Sequence, residues 1–250
     1  MRPVGLSDYC PVNKECFKRL KKFCYIYYNK SLVVDIQSIE LTKIQPAELD
    51  DLLSLGWFRI QQSIFTTDVL QLNGEIFNTI WLRADLSNFE PDKKYRTLNN
   101  KNKHFKTEIK KAIITPQHEA LYSSYKEHIS FEAAPSLRWL LYGNRARNVY
   151  NTYVINLYDG NKMIGAGFFD MGNTSAAGIC SIYDPAYKKY SLGKYMIYEK
   201  MFYCQRENFK YFYPGYFVPG YPLFDYKLEI GKSLIEYFDS HTMEWLPLNR

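Results

Sequence analysis

Apolar positions change their spacing twice along the 250 residues. Over Thr42–Gly56 they follow a helical period: Leu49, Leu52 and Leu53 make an i, i+3, i+4 face, Pro46 suits the first turn and Gly56 a C-terminal cap. A strand is predicted over Phe58–Phe65 and another over Ile76–Leu82, followed by a connection from Ala84 to Pro91. Helical spacing returns in Pro116–Ile129, where Leu121, Tyr122 and Tyr125 share a face, and in Ser136–Gly143, which Gly143 ends. From Thr152 the pattern is that of strands. TYVINLYD and KMIGAGFFDM flank Asp159-Gly160-Asn161, a hairpin signal, and Gly172-Asn173 turns the chain into SAAGICSIYD. Pro185 cannot donate to a ladder and stops that strand. Ser191 is then expected to cap a long apolar-rich helix running through Met201 and Phe202. An aromatic strand ends at Tyr213-Pro214-Gly215-Tyr216, and a last strand is expected near Leu234–Phe238.

A strand meander followed by strand–helix–strand implies an α/β (α+β) chain with a mixed, mostly antiparallel sheet flanked by helices. The helical pattern gives way near Arg147–Asn151, so residues 1–148 are expected to form a smaller N-terminal α/β part and residues 149–250 the main core. In that core the sheet should splay between Ile182–Pro185 and Tyr213–Tyr216, next to a helix start that Gly193 leaves bare of side chain. Unpaired N–H groups at a helix start attract anions, phosphate included. These are the central parts of an acyl-CoA N-acyltransferase (GNAT) fold.

Composition adds a partner class. There are 32 Lys and Arg against 26 Asp and Glu, and the surplus is uneven. Residues 93–111 hold Lys93, Lys94, Arg96, Lys101, Lys103, Lys106, Lys110 and Lys111 against the single acid Glu108. That suits a polyanion. Tyrosine is abundant, at 23 residues, and its apolar body with a polar tip suits grooves as well as cores. Five cysteines without framework spacing fit free thiols in a reducing cytoplasm. Cys10, Cys16 and Cys24 lie near a helical pattern at residues 14–22 but lack the close ligand pairs of a metal site, so no metal is expected. No apolar run reaches the length of a membrane span, and the first residues lack the apolar core of a secretory signal. His118 and His128 are ten residues apart with no acidic partner pattern and read as surface histidines.

The run IYDPAYKKYSLGKYMIYE followed by FKYFYPGYFVPGYPLFDYK resembles the C-terminal half of the arginyl/leucyl-tRNA–protein transferases. In that family a strand ending in Asp-Pro precedes Ser-Leu-Gly, and Tyr-x-Gly-Tyr is followed by a Tyr-Lys pair. The N-terminal helix with its Gly56-Trp57-x-Arg59 sequel is similar too. The chain departs from the family where relatives carry cysteines: Ser7-Asp8-Tyr9-Cys10 stands for Cys-Gly-Tyr-Cys, and Thr66-Thr67-Asp68-Val69 has none. Its basic segment is also rich in Lys and Asn where relatives use Ser and Arg, which keeps phosphate contact and loses the bidentate fork.

The resemblance implies transfer of leucine or arginine from charged tRNA to the N-terminal α-amine of proteins beginning with Asp or Glu, by a cytoplasmic monomer needing no cofactor. It implies that Asp184, Ser191 and Tyr216 serve the acyl transfer. Tyr183, Leu192, Gly193, Tyr213, Gly215, Tyr226 and Lys227 would bind substrate. Within the basic segment, Lys93, Lys94, Arg96, Lys101 and Lys103 would bind tRNA phosphates. The residues leave two other classes open. One is an acyl-CoA-dependent N-acyltransferase using acetyl-CoA, although Leu192 and Tyr195 stand where a pyrophosphate loop wants small residues. The other is a non-catalytic RNA-binding module of aromatic and Lys residues.

Overall fold

The computed structural model describes residues 36–72, 74–129, 133–231 and 234–248. Cys10, Cys16, Cys24 and the helical pattern at residues 14–22 lie outside them. The strands are β1 (Ile36–Glu40), β2 (Phe58–Ile60), β3 (Ser63–Thr67), β4 (Val69–Leu72), β5 (Glu75–Asn78), β6 (Ile80–Asp85), β7 (Lys106–Lys111), β8 (Thr152–Asp159), β9 (Lys162–Met171), β10 (Ser175–Tyr183), β11 (Tyr211–Phe217), β12 (Ile235–Asp239) and β13 (Glu244–Pro247). The helices are α1 (Pro46–Ser54), α2 (Lys93–Asn102), α3 (Pro116–Lys126), α4 (Leu137–Tyr142) and α5 (Leu192–Arg206).

Eight strands form the main sheet in the order β13-β12-β6-β11-β10-β9-β8-β7. Its pairings are antiparallel except β10 with β11, which run parallel because α5 carries the chain back between them. The meander, crossover helix and mixed sheet are the N-acyltransferase arrangement expected from the pattern. Two of the strands, β6 and β7, come from before residue 148, so the sheet is built from both parts of the chain. Side chains alternate across it. Phe168 packs with Leu121, Leu137 and Leu141 under α3 and α4, whereas Phe169 packs with Ile197, Met201 and Phe212 under α5.

Several elements differ from the pattern reading, each for a local reason. The segment Phe58–Phe65 is a hairpin, β2 with β3, because Gln61 adopts a left-handed φ of 53° and reverses the chain. The expected strand Ile76–Leu82 is broken at Thr79, whose N–H donates to Asp68 O and whose hydroxyl donates to Thr67 O. The basic segment is ordered: α2, capped by the Asp92 side chain accepting from Tyr95 N, leads into the sheet-edge strand β7. A charge-rich segment carries little apolar period, so neither element was visible in it. Ser191 does not cap α5 with its hydroxyl; it is in the left-handed region (φ 54°, ψ 43°) and joins a 3-10 turn, Pro185–Tyr190, to the helix. His118 is buried, not on the surface: its Nε2 lies 3.0 Å from Asn156 Oδ1, and desolvation lowers its pKa.

The small sheet β1-β3-β2 and α1 are held to the core by one buried ion pair. Arg59 Nη1 donates to Asp170 Oδ1 at 2.8 Å, both side chains at most 1% exposed. The guanidinium also donates to Thr152 Oγ1, Gln61 O and Leu141 O and lies 4.4 Å from the Tyr150 ring centre. A second tie is Asp50 on α1, whose carboxylate accepts from Asn173 N, Thr174 N and Ser175 N in the β9–β10 turn. Removing one member of a buried pair leaves the other charge uncompensated, which costs about 3–5 kcal/mol. Arg59→Met is therefore expected to lower the unfolding free energy by about that much in urea titration. The double variant Arg59→Met/Asp170→Leu is expected to recover part of the loss.

Candidate active site

Strands β10 and β11 are in register for three residues: Ser175 with Tyr211, Ala176 with Phe212 and Ala177 with Tyr213. Beyond them the strands part. Irregular steps lie between Gly178 and Cys180 on β10 and between Phe212 and Gly215 on β11. Pro214 has no N–H to offer a neighbour, and Gly215 takes a φ of 89° that disfavours side-chain-bearing residues. A cleft of about 420 Å³ opens there. One wall is the edge of β10 from Gly178 to Tyr183, the other is Phe212 and Pro214, and α5 closes one side with Gly193, Lys194, Ile197 and Lys200. Tyr125, Leu223 and Tyr226 complete it.

Of the residues singled out from the sequence, Tyr183, Ser191, Gly193 and Tyr226 line this cleft. The first turn of α5 is open there. A Cβ placed on Gly193 would meet only the Tyr183 ring, at 3.6 Å, an ordinary contact. Leu192 is fully buried in the core with Phe105, Ile155 and Tyr195, and so supports the turn from behind. Tyr213 is also core: its ring packs edge-on against Phe58 and Trp245. Tyr216 packs edge-to-face on Trp81 and at a tilt against Phe224, and presents its carbonyl to Lys227 Nζ at 2.6 Å. That ammonium lies 5.2, 5.3 and 5.9 Å from the ring centres of Tyr216, Phe224 and Tyr226. Lys227 is partly buried, and desolvation of its ammonium lowers the pKa to about 7. Gly215 makes room for it: a Cβ there would stand 3.4 Å from Nζ.

Asp184 is placed differently. Its carboxylate accepts from Ala186 N at 2.9 Å and pairs with Lys162 at 2.6 Å, holding the 3-10 turn, and it is not among the cleft-lining residues. Burial pushes its pKa up, but the Lys162 and Ala186 hydrogen bonds outweigh this and lower it.

Two lining residues carried no signal in the sequence. Lys200 on α5 is 2% exposed, and its Nζ meets Ser181 Oγ at 3.1 Å. Desolvation lowers its pKa to about 8. It fits because Gly167 lies beneath it: a Cβ there would stand 2.9 Å from Ile155 Cγ2 and 3.3 Å from Lys200 Nζ. Cys180 also lines the cleft, and burial pushes its thiol up to about 11, so it stays protonated at neutral pH. Among the described residues no group of three metal-ligating side chains occurs.

A second cavity of about 550 Å³ adjoins the first. It is walled by Lys93, Lys94, Thr97 and Leu98 of α2 and by Tyr198, Glu229 and Ile230, and it shares Ser191 and Lys194 with the cleft. Glu229 sits between the lysines, 2.6 Å from Lys194 and 3.9 Å from Lys94. Arg96 is turned back, donating from Nε and Nη2 to Pro91 O, while Lys101 and Lys103 are exposed.

Asp184→Asn is expected to cost stability and activity together, by no more than about 1 kcal/mol, because its partner Lys162 is 60% exposed. Thermal unfolding read beside an activity assay checks this. Lys200 gives a pH signature of the opposite kind. Between about 8 and 10.5 the unfolded chain still holds this proton while the folded chain has lost it. Its contribution to stability therefore rises with pH through that window. In urea titrations at pH 7 and pH 10, Lys200→Met is expected to be more stable than the unaltered chain at pH 7, with the gap shrinking by pH 10.

The sequence profile described as "Arginine-tRNA-protein transferase, C terminus" matches residues 117–235. An aspartate/glutamate leucyltransferase of Leptospira interrogans is 30% identical over 173 residues, 66% of each chain. One of Campylobacter jejuni is 24% identical over 95% of each chain. An arginyl-tRNA–protein transferase of Saccharomyces cerevisiae is 26% identical over 63% of this chain and 29% of its own. The matched region contains the Asp-Pro strand end, the Ser-Leu-Gly turn, α5 and the Tyr226-Lys227 pair. The chain belongs to the arginyl/leucyl-tRNA–protein transferase family.

Proposed function

We propose that this chain moves leucine or arginine from charged tRNA to the α-amine of proteins beginning with Asp or Glu, in the cytoplasm and as a monomer. The observation that carries the reading is that the two cavities share Ser191 and Lys194 in their linings. A tRNA held by the lysines of α2 can thread its aminoacylated end past the open first turn of α5 into the cleft. Lys94 and Lys194, gathered by Glu229, suit the last phosphates of the acceptor strand, and Lys227 in its aromatic cage suits another phosphate or the acceptor. Tyr183 and Tyr226 offer flat walls for the aminoacyl group.

The reaction asks little of the protein beyond placement. An aminoacyl-tRNA is an activated ester, and an α-amine with a pKa near 8 is a competent nucleophile once it loses its proton. Its nitrogen attacks the ester carbonyl, the tetrahedral oxyanion forms, and the ribose hydroxyl leaves with a proton as the amide is made. Placement of the two reactants in one water-poor cleft supplies effective concentration. Backbone N–H groups at the first turn of α5 can stabilise the oxyanion. No covalent acyl-enzyme step is needed, and the protonated Cys180 is unsuited to one. Ester aminolysis needs no cofactor.

A panel of charged tRNAs and peptides tests the reading. Leucyl- or arginyl-tRNA is expected to label a peptide beginning with Asp or Glu, and acetyl-CoA is expected to leave the same peptide unmodified. Acetylation alone would make the chain an acyl-CoA-dependent enzyme, and tRNA binding with no transfer would make it a binding module. Neutralising Lys93, Lys94, Lys101 and Lys103 is expected to flatten the slope of log affinity against log salt by about 0.7–0.9 per lost phosphate contact. An unchanged slope would return α2 to solvated surface.

A further inference from the structure

We infer that Lys200, held on Ser181 in the wall of the cleft, is the residue that selects an acidic first side chain in the acceptor protein, by pairing with its carboxylate. The inference rests on the proposed transfer reaction and assigns its acceptor specificity to a residue.

The cleft has a marked charge asymmetry. Its lining includes Lys188, Lys194 and Lys200 and no carboxylate. Lys194 already has Glu229, and Lys188 is exposed near the mouth. Lys200 alone is buried, and among the described residues no acid lies within ion-pair reach of it. Its neighbours are the Ser181 hydroxyl and the thiols of Cys180 and Cys204, which burial holds protonated. A buried ammonium with one neutral hydrogen-bond partner and two unspent N–H groups is an unfavourable arrangement for the empty protein. Several features nonetheless keep it there. Gly167 leaves the space under it, Ser181 orients it, and its place on α5, seven residues after Gly193 and three after Ile197, turns it toward the cleft.

The charge state separates two roles for this amine. With a pKa near 8 it is about nine-tenths protonated at pH 7, so it is chiefly a cation rather than a base. A cation beside the acceptor's α-ammonium would repel it, whereas a carboxylate whose carbon lies three (Asp) or four (Glu) bonds from that ammonium satisfies Lys200. Binding of an acidic side chain therefore draws the residue's carboxylate toward α5. The hydroxyls of Tyr125 and Tyr226, whose pKa values burial raises to about 12, remain donors and can share the carboxylate. An Asn or Gln side chain of the same shape would leave the ammonium unpaired, which gives discrimination by charge rather than by size.

The test compares paired peptides that begin with Asp or Asn and are otherwise identical, using the full-length protein and the charged tRNA that supports transfer. The unaltered protein is expected to favour the Asp peptide strongly in kcat/KM. In Lys200→Met that preference should fall by about 30-fold or more, the usual loss when one member of a buried charge pair is truncated. The loss should appear mainly in KM for the Asp peptide, with transfer to the Asn peptide little changed. Lys200→Arg should retain part of the preference. A second readout uses the unaltered protein alone: in NMR of labelled lysine side chains, adding the Asp peptide should raise the pKa of Lys200, and the Asn peptide should not. If Lys200→Met is folded and keeps the Asp/Asn ratio, or loses both peptides equally in kcat, the assignment falls while the transfer reaction stands. If the unaltered protein transfers to no peptide, the functional reading falls and this inference with it. An unmoved Lys200 pKa in the presence of bound Asp peptide would overturn it even if Lys200→Met proved unfolded.

Discussion

The site depends on how briefly two parallel strands stay together. β10 and β11 share three residues of register and then diverge. Parallel neighbours need a crossover between them, so the same constraint places α5 over the gap with its first turn at the mouth. Backbone groups on the parting edges lose their ladder partners and need others. On β11 the missing N–H of Pro214 removes one demand, and Lys227 donates to the carbonyl of Tyr216. On β10 the free edge is turned toward the cleft. An acyl donor and an amine acceptor can therefore meet against polar backbone in an otherwise apolar fold.

A gap in the middle of a sheet weakens it, and the chain braces it from both sides. β6 and β12 extend the sheet beyond β11, and a cluster of rings, Trp81 stacked on Phe58 and edge-to-face with Phe65 and Tyr216, stiffens that half. On the other half, Arg59 reaches into the core to Asp170, the β9 residue that pairs with Ala177, the last β10 residue in register with β11. The buried pair therefore sits beside the point where the strands separate. The four residues that Arg59 hydrogen-bonds, Gln61, Leu141, Thr152 and Asp170, fix the β2–β3 hairpin, the α4 end, β8 and β9 to one another. Rigidity at the hinge of the gap is what allows the gap to hold a shape.

The core strands, α5, the β8–β9 and β9–β10 turns and the splay were legible because each has a strong local signature: alternation, a Gly turn, a Pro stop. The Pro46 start and Gly56 end of α1 were legible for the same reason. The turn at Gln61 was not, since a left-handed glutamine has no compositional signal and tertiary packing imposes it. Neither was α2, whose capping by Asp92 and docking of Tyr95 on Tyr198 matter more than its weak apolar period. At the site, Gly193 and Tyr226 could be read from motif position, whereas Leu192 and Tyr213 share those motifs yet face the core. A motif marks a stretch of chain; the helical or strand period decides which of its side chains meets the ligand. Lys200 was hidden by its neighbour: Glu199-Lys200 reads as a solvated charge pair, but Glu199 bonds Tyr95 on the other side of α5.

That last point bears on how selectivity and catalysis divide in this fold. Direct aminolysis needs a donor carbonyl and an amine held together, and an open helix turn with a cleft can provide that for many acyl groups. On the proposed reading, groups whose desolvation is already suffered in the empty protein are suited to distinguish one acceptor from another. The buried Lys200 and the ring-flanked Lys227 are such groups, for each has its pKa lowered by burial and pairs with no carboxylate among the described residues. A ligand that restores their charge gains more than it would from an exposed lysine, because the medium around them is poor in water. On the proposed reading, the rate depends on backbone geometry at the start of α5, and the choice of acceptor on the buried cation that α5 presents to the cleft.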